Sequence, residues 1–126
     1  RYIGISKEYN IFEMQEALGT RNYPKAFKIA LNFGQHQKEN PNVKTITMLF
    51  SFYHKLLSYR MSPTKDEKIF GKMAFKYVGY ANKYTIPQLT RIISLLREYD
   101  MKVKGVNADL DPAELIKELI YKLLNA

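Results

Sequence analysis

The sequence predicts an all-α fold, a compact bundle of five to six helices. Apolar residues recur with a helical period along the 126 residues, and no segment alternates apolar and polar residues for long enough to predict a sheet. Capping residues and helix breakers divide the chain into helix-sized pieces. Hydrophobic residues make up 46% of the chain, which is the content of a globular protein. The length fits a single domain over residues 1–126.

The first two helices are predicted on either side of a glycine and an Asn-Tyr-Pro elbow. The first runs from about Tyr9 to Leu18. Gly19 is expected to take the left-handed conformation that ends many helices. Asn22 is expected to cap the second helix, with Pro24 in its first turn, where a missing N–H costs nothing. The apolar face of the second helix carries Ala26, Phe27, Ala30 and Leu31.

The middle of the chain predicts a third helix and a fourth helical region. The third helix is expected to be capped by Asn42 and to reach about residue 60. Thr64 with Glu67 forms a capping-box pattern that opens the fourth region. Gly71 weakens this region, so the sequence leaves open whether residues 64–84 form one helix or two.

Two further helices are predicted in the last third of the chain. Thr85 with Gln88 repeats the capping-box pattern, and the helix that follows reaches about Val103. Leu95 lies off the main apolar stripe of this helix, which predicts burial on more than one side. Asp111 is expected to cap the last helix. The apolar stripe of the last helix is Leu115, Ile116, Leu119, Ile120, Leu123 and Leu124.

The charge of the chain is the first indication of a partner. Twenty Lys and Arg against 12 Asp and Glu give a formal net charge of +8, which favours polyanionic partners. On a continuous helix, five lysines of the fourth region fall within about 80° of arc. Such a row can follow a phosphate backbone, whereas the alternative is the solvated face of an amphipathic helix. These candidate nucleic-acid contacts, expected to be weak, are Lys65, Lys68, Lys72, Lys76 and Lys83.

The sequence contains no set of residues that is typical of an enzyme active site. There is no Cys, and the two histidines, His36 and His54, stand apart from any metal-ligand spacing. No Gly-rich loop with Lys-Ser or Lys-Thr cradles a phosphate. We therefore predict no catalytic, cofactor or metal site in this domain. No apolar run reaches the length of about 20 residues that spans a bilayer, so no membrane partner is predicted either.

The stretch FEMQEALGTRNYPKAF, residues 12–27, has the outline of a helix-turn-helix. A DNA-reading second helix needs exposed polar residues in its first turns. Here that helix uses most of its first turns for apolar contact and leaves only Lys25 and Lys28 for bases. The stretch is therefore interpreted as a helical hairpin of the scaffold.

Several short motifs occur in an order and spacing that resemble a known family. They are Ile3-Gly4-Ile5-Ser6-Lys7-Glu8-Tyr9, Phe12-Glu13, Glu16-Ala17-Leu18-Gly19, Asn82-Lys83-Tyr84-Thr85, the exit from Asp100 to Gly105, and the helix from Leu115 to Leu124. Together they resemble the C-terminal domain of the bacterial DNA polymerase III delta subunit, part of the sliding-clamp loader. The sequence departs from the family at residues 71–76, where the family has a longer stretch with a proline.

The resemblance implies a role in DNA replication. The residues by themselves do not indicate this role. It implies a helical collar, or oligomerisation, domain that packs beside the gamma/tau and delta-prime subunits in a pentameric loader. In the family, upstream ATPase-like modules contact the sliding clamp, and a chain that begins with Arg1 is expected to be a fragment that lacks them. The parent holoenzyme is a DNA-directed DNA polymerase, a nucleotidyltransferase whose catalysis lies in another subunit. The implied location is the bacterial cytoplasm.

A subunit interface buries about 800 Å² on each partner, so the resemblance predicts apolar surface beyond the needs of one core. The expected place for it is the pair of C-terminal helices. The predicted interface residues are Leu95, Tyr99, Ile120, Tyr121 and Leu124. The competing hypothesis is a helical nucleic-acid-binding domain that uses the lysine row between residues 65 and 83.

Overall fold

A computed structural model describes residues 8–61, 74–105 and 111–126, and every regular element in these ranges is an α-helix. The prediction of an all-α bundle of five to six helices is confirmed. The helices are α1 (Ile11–Gly19), α2 (Tyr23–Gln35), α3 (Asn42–Met61), α4 (Ala74–Ala81), α5 (Ile86–Val103) and α6 (Pro112–Leu124).

One hydrophobic core holds these helices together. The most extensive contacts join α3 to α5 and α2 to α6, while α1 packs against α2 and α3, and α4 packs against α3 and α1. Burying one Leu, Ile or Phe side chain stabilises the fold by about 1.5–3 kcal/mol. The largest side chains that are fully buried are Tyr53, Tyr99, Phe33, Met14, Leu18, Ile29, Ile46, Leu49, Leu56, Leu89, Ile92 and Leu96.

The corner between α1 and α2 differs from the prediction at its glycine. Gly19 is the last residue of α1 and is not left-handed, since the described residue with positive φ at this corner is Arg21, at 57°. Gly19 instead lies against the ring of Tyr80 from α4, a close approach that leaves no room for a side chain. Asn22 caps α2 as predicted, because its side chain accepts a hydrogen bond from the N–H of Lys25 at 3.3 Å.

The start of α3 also differs from the prediction. Asn42 lies inside the helix and is 5% exposed, so it is not the residue before the first turn. Its side-chain amide donates to the carbonyl of Pro112 at 2.9 Å and accepts from Gln37 Nε2 at 2.8 Å. Asn42 therefore ties the α2–α3 turn to the first residue of α6.

The fourth helical region is described only from Ala74 onward. Residues 74–81 form α4, whose half-buried Tyr77 and Val78 face the core. The predicted capping-box pair Thr64 and Glu67 and the predicted joint at Gly71 lie outside the described residues. The number of helices between residues 64 and 84 therefore stays a prediction.

The two C-terminal helices begin as predicted. The Thr85 side chain accepts from the N–H of Gln88 at 3.1 Å, and the Gln88 side chain accepts from the N–H of Thr85 at 2.8 Å. Asp111 accepts from the N–H of Ala113 at 3.1 Å. All six residues predicted for the apolar stripe of α6 are buried.

Candidate protein-interaction site

The packing of α5 against α6 divides the five predicted interface residues into two groups. Tyr99 and Ile120 are 0% exposed and Leu124 is 9% exposed, because these side chains fill the core between α5 and the helices around it. Their burial corrects the expectation that they lie on an exposed apolar face. Leu95 is half-buried and Tyr121 is 60% exposed, so these two residues reach the surface.

Leu95 and Tyr121 lie in the same surface groove, which we call the α5–α6 groove. Its volume is about 510 Å³. The two helices run antiparallel, so the first half of α5 lies beside the end of α6, and Gln88 Nε2 donates to the carbonyl of Ala126 at 3.4 Å. The groove is lined by Thr90, Arg91, Ser94, Leu95 and Glu98 from α5 and by Tyr121, Lys122, Asn125 and Ala126 from the end of the chain.

The helical period explains why these residues meet. Residues three and four apart lie on one helix face, so the α5 positions 91, 94, 95 and 98 share a face, as do Tyr121 and Asn125. Asn125 Nδ2 donates to the carbonyl of Tyr121 at 2.8 Å and so closes the last turn of the chain beside the groove. Arg91, Ser94 and Glu98 were not among the predicted interface residues, although their helical spacing around Leu95 places them on its face.

A second contact holds α5 and α6 together next to this groove. The hydroxyl of Tyr99 donates to a carboxylate oxygen of Glu118. Lys102 and Lys122 lie over the Tyr99 ring, 4.4 and 5.2 Å from its centroid, and within 3.9 and 3.7 Å of the same carboxylate. Glu118 was not predicted as a site residue, although its i,i+4 spacing from Lys122 indicates an ion pair on one helix face.

These contacts shift the pKa values of both partners. The hydrogen bond from Tyr99 lowers the pKa of Glu118, and the lysines at 102 and 122 lower it further because they favour the carboxylate. Burial raises the pKa of Tyr99, and its bond to the Glu118 carboxylate adds to the rise. The tyrosine therefore stays protonated and the glutamate stays ionised at neutral pH.

Replacing Tyr99 with phenylalanine is expected to lower the free energy of unfolding by about 1 kcal/mol at pH 7, because it removes one hydrogen bond to a carboxylate whose 37% exposure to water reduces the strength of the bond. The folded-state pKa of Glu118 is lowered, so this stabilisation is present above its unfolded pKa of about 4.3 and is lost as the pH falls through the folded pKa. The difference between the two proteins should therefore shrink below about pH 4. Urea unfolding at several pH values measures it.

The matched control for that substitution is Tyr121→Phe, which removes an exposed hydroxyl from α6. We expect it to leave both the stability and its pH dependence unchanged. An NMR titration gives a second readout, since the pKa of Glu118 should rise in the Tyr99→Phe variant. An unchanged pKa would contradict the assignment of the shift to this hydrogen bond.

The predicted lysine row is described only at its end. Lys76 on α4 and Lys83 are both exposed. They do not share one helix, because α4 ends at Ala81 and Lys83 lies in the turn before the cap of α5. The turn is closed by hydrogen bonds from the N–H of Lys83 to the carbonyl of Tyr80 and from the N–H of Tyr84 to the carbonyl of Ala81. The candidate contacts Lys65, Lys68 and Lys72 lie outside the described residues.

Within residues 8–61, 74–105 and 111–126, no three His, Asp or Glu side chains are grouped so that they could hold a metal ion. None of the helices described here is long and apolar enough to cross a membrane.

Comparison of the chain with protein families, with curated proteins and with solved structures gives no match. The functional conclusion therefore rests on the residues and on the geometry of the described surface. Of the surfaces described, the α5–α6 groove is the one that contains predicted interface residues.

Proposed function

We propose that this chain is a protein–protein interaction module. It acts as the collar domain of a DNA polymerase III delta subunit and helps to assemble the pentameric loader that places the sliding clamp on DNA during replication. The observation that carries the proposal is the α5–α6 groove on the outside of the bundle. In this groove the side chains of Leu95 and of the 60% exposed Tyr121 are accessible for apolar contact. The family motifs in the sequence support the identity of the partners, the gamma/tau and delta-prime subunits.

The groove contains Tyr121 and Arg91, two residue types that are enriched at protein interfaces. Tyr is enriched at interfaces because its ring supplies contact area and its hydroxyl tolerates water. Arg91, Glu98 and Asn125 are exposed and form a polar rim around the apolar centre. An apolar centre within a polar rim is the anatomy on which binding hot spots are built.

The proposal assigns no catalysis to this domain. Nucleotidyl transfer by the polymerase holoenzyme belongs to another subunit, and contact with the sliding clamp belongs to modules outside these 126 residues. The proposed location is the bacterial cytoplasm, and no membrane partner is proposed. What this chain contributes is binding surface.

Replacing Tyr121 with alanine is expected to weaken assembly with the gamma/tau and delta-prime subunits by about thirtyfold, because truncation of a central aromatic residue costs about 2 kcal/mol. Binding of the full-length protein to the partner subunits, followed by calorimetry, measures the effect. Phe75→Ala is the matched control. It truncates an aromatic residue that is 74% exposed on α4, outside the groove, and should leave assembly unchanged.

The deletion of the whole domain gives the decisive outcome. The experiment deletes residues 1–126 of this sequence from the full-length protein. If the shortened protein still joins the partner subunits with normal affinity, the proposal is overturned.

A second candidate function is weak binding of DNA, which is favoured by the exposure of Lys76 and Lys83 at the end of the lysine row. Replacing the five lysines, Lys65, Lys68, Lys72, Lys76 and Lys83, with glutamine should then weaken duplex binding. The wild-type affinity should also fall steeply between about 50 and 200 mM salt, because bound lysines release counterions. Fluorescence anisotropy with a labelled duplex measures both effects. Equal affinity of the two proteins rules this function out.

A further inference from the structure

A second groove lies between α1, α3 and α4, and it shares no lining residue with the α5–α6 groove. We call it the α1–α4 groove. Its volume is about 320 Å³, which is at the lower end of the range of about 300–1,000 Å³ that is usual for ligand pockets. Four aromatic residues line it, namely Phe12, Phe52, Tyr77 and Tyr80. A groove of this size accepts a side chain and not a whole helix.

Three of these rings form a connected cluster. The ring centroid of the buried Phe52 lies 6.0 Å from that of Tyr77 and 5.8 Å from that of Tyr80. Phe12 on α1 is 67% exposed and so presents its ring to a partner. The faces of aromatic rings attract cations. Lys55, which does not line the groove, already lies over the Tyr77 ring, 5.7 Å from its centroid.

The charges of the α1–α4 groove lie on opposite walls. Glu13 and Glu16 are on α1, and Lys76 is on α4. Glu13 accepts a hydrogen bond from the N–H of Asn10 at 3.1 Å and is thereby held in the cap of its own helix. Among the described side chains, none forms an ion pair with Glu16 or with Lys76. Glu16 is therefore the carboxylate that is accessible to a partner.

The local balance of charge differs in sign from that of the chain. Two carboxylates against one ammonium group give the groove a net charge of −1, whereas the chain has a net charge of +8. Exposed charges more than about 10 Å away are largely screened at 0.1 M salt. The groups that line the groove therefore decide which ligand it attracts, and their balance favours a cation.

Glu16 lies between two of the rings. Phe12 and Glu16 are one turn apart on the same face of α1. Tyr80 lies on the facing wall, on α4. Burial raises the pKa of Tyr80, and the nearby carboxylate of Glu16 raises it further, which places this carboxylate beside the phenol. A carboxylate with a ring on either side is suited to a flat cation.

We propose that the α1–α4 groove binds an arginine side chain of a partner protein, with the guanidinium group paired to Glu16 and packed against Phe12 and Tyr80. Charge complementarity selects a basic side chain for this groove. Arginine fits better than lysine, because its guanidinium group is planar, stacks on aromatic rings and donates two parallel hydrogen bonds to one carboxylate.

Lys76 opposes this ligand and supplies a test of its sign. Its ammonium group lies on the wall opposite Glu16 and is exposed. Removing the charge at Lys76 should therefore strengthen the binding of an arginine, whereas it would weaken the binding of an acidic ligand.

This inference goes beyond the proposed function, because it concerns a different surface of the bundle. Glu16→Gln should leave assembly with the gamma/tau and delta-prime subunits unchanged, and Tyr121→Ala should leave arginine binding unchanged. If arginine binding fails while subunit assembly is normal, this inference alone is overturned. If assembly fails while arginine binding is intact, the proposed function alone is overturned.

A short peptide tests the proposal with the 126-residue chain. The probe is acetyl-Ala-Arg-Ala-amide, and the matched neutral probe carries citrulline, which has nearly the shape of arginine without its charge. NMR titration follows the backbone amide resonances of Glu16, Tyr77 and Tyr80. We expect the arginine peptide to shift them and to bind about tenfold more tightly than the citrulline peptide, because citrulline loses both the ion pair and the cation–π contact.

Variants of the two walls give the second arm of the experiment. Glu16→Gln should weaken binding of the arginine peptide about threefold, and Lys76→Gln should strengthen it about twofold, which are effects of the size of exposed ion pairs. Glu39→Gln is the matched control, because it removes an exposed carboxylate from the turn between α2 and α3. It should leave the affinity unchanged.

The aromatic contact has its own pair of variants. Phe12→Leu should weaken binding of the arginine peptide about threefold, because it removes a ring face from the guanidinium group. Phe75→Leu replaces an aromatic residue that is 74% exposed and does not line the groove, so it should have no effect. Circular dichroism of each variant shows whether the helices are retained.

Four outcomes would overturn the proposal. The first is an arginine peptide that binds no better than the citrulline peptide. The second is an equal loss of affinity in Glu16→Gln and Glu39→Gln, which would show attraction without a site. The third is tighter binding of acetyl-Ala-Glu-Ala-amide that Lys76→Gln removes, which would make the ligand an acid. The fourth is a shift of the groove resonances with protein concentration alone, which would assign the groove to a second copy of this chain.

Discussion

Replacing Gly19 with alanine is expected to lower the free energy of unfolding by about 1–3 kcal/mol, because overpacking of a close contact forces strained rotamers or backbone shifts. A Cβ at this position would lie 2.6, 2.7 and 2.9 Å from Cγ, Cδ1 and Cδ2 of Tyr80, which is closer than real Cβ atoms approach. These ring atoms are near the root of the side chain, so Tyr80 cannot move away without shifting α4 against α1. Urea unfolding measures the loss.

The matched control is Gly79→Ala, one residue before Tyr80. A Cβ at position 79 would meet nothing within 4 Å, and the residue lies inside α4. Alanine is the better helix former by about 0.5–1 kcal/mol, so this substitution should stabilise the protein. The double variant Gly19→Ala/Tyr80→Ala should recover part of the loss from Gly19→Ala. A Gly19→Ala protein as stable as the wild type would show that the α1–α4 contact is not close.

A loss of stability similar in size to that of Gly19→Ala is expected when Tyr84 is replaced with phenylalanine. The free energy of unfolding should fall by about 2–3 kcal/mol, because the change breaks two hydrogen bonds and leaves a buried donor unsatisfied. The Tyr84 hydroxyl donates to the carbonyl of Leu18 at 2.5 Å and lies 3.1 Å from the Tyr53 hydroxyl. Since Tyr84 has one proton and gives it to a carbonyl, Tyr53 must be the donor to Tyr84. Removing the Tyr84 oxygen therefore strands the fully buried hydroxyl of Tyr53.

Tyr53→Phe is the matched control for this network, because it breaks only the bond between the two hydroxyls. Its expected cost is about 1 kcal/mol, clearly less than that of Tyr84→Phe. Thermal and urea unfolding of both variants compare the two losses. Equal losses would contradict the donor order inferred from the geometry.

The same network predicts a dependence on alkaline pH. Burial raises the pKa of both Tyr53 and Tyr84. A raised folded-state pKa stabilises the fold fully below the unfolded value of about 10 and loses that contribution as the pH rises through the folded value. The wild type should therefore lose stability above about pH 10, and Tyr84→Phe should lose less, because one of the two buried phenols is gone.

Local sequence signals predicted the helix boundaries where the capping bonds are made between near neighbours. The box of Thr85 and Gln88, the cap at Asp111 and the apolar stripe of α6 are confirmed, because each depends on spacing within one or a few helical turns. The box of Asn10 and Glu13 at the start of α1 was missed, although both of its hydrogen bonds join residues only three apart.

Predictions were less successful for residues whose role depends on a contact with a residue distant in sequence. Gly19 was expected to end a helix by its conformation, but its role depends on Tyr80, which lies far away in sequence. Asn42 was expected to cap a helix, but its amide bonds to the carbonyl of Pro112, seventy residues later. Neither partner can be read from the residues around the glycine or the asparagine.

In the candidate site, too, some features follow from the helical period and others depend on how the helices pack. That α5 and α6 are amphipathic, and that Leu95 lies off the apolar stripe, followed from the helical period alone. The division of the predicted interface residues into buried Tyr99, Ile120 and Leu124 and surface-reaching Leu95 and Tyr121 did not. It depends on the rotation of α5 against α6 and α3, which long-range packing sets.

The sequence by itself determined the all-α fold, most of the caps and the apolar face of the last helix, because backbone hydrogen bonding and helical periodicity act over a few residues. Only the tertiary structure decided that Gly19 serves a contact, that Tyr99 is bonded to Glu118, and that Leu95, Tyr121, Arg91 and Glu98 share one groove. The physical reason is that these contacts join residues from different helices, and their geometry follows from how the helices fill the core together.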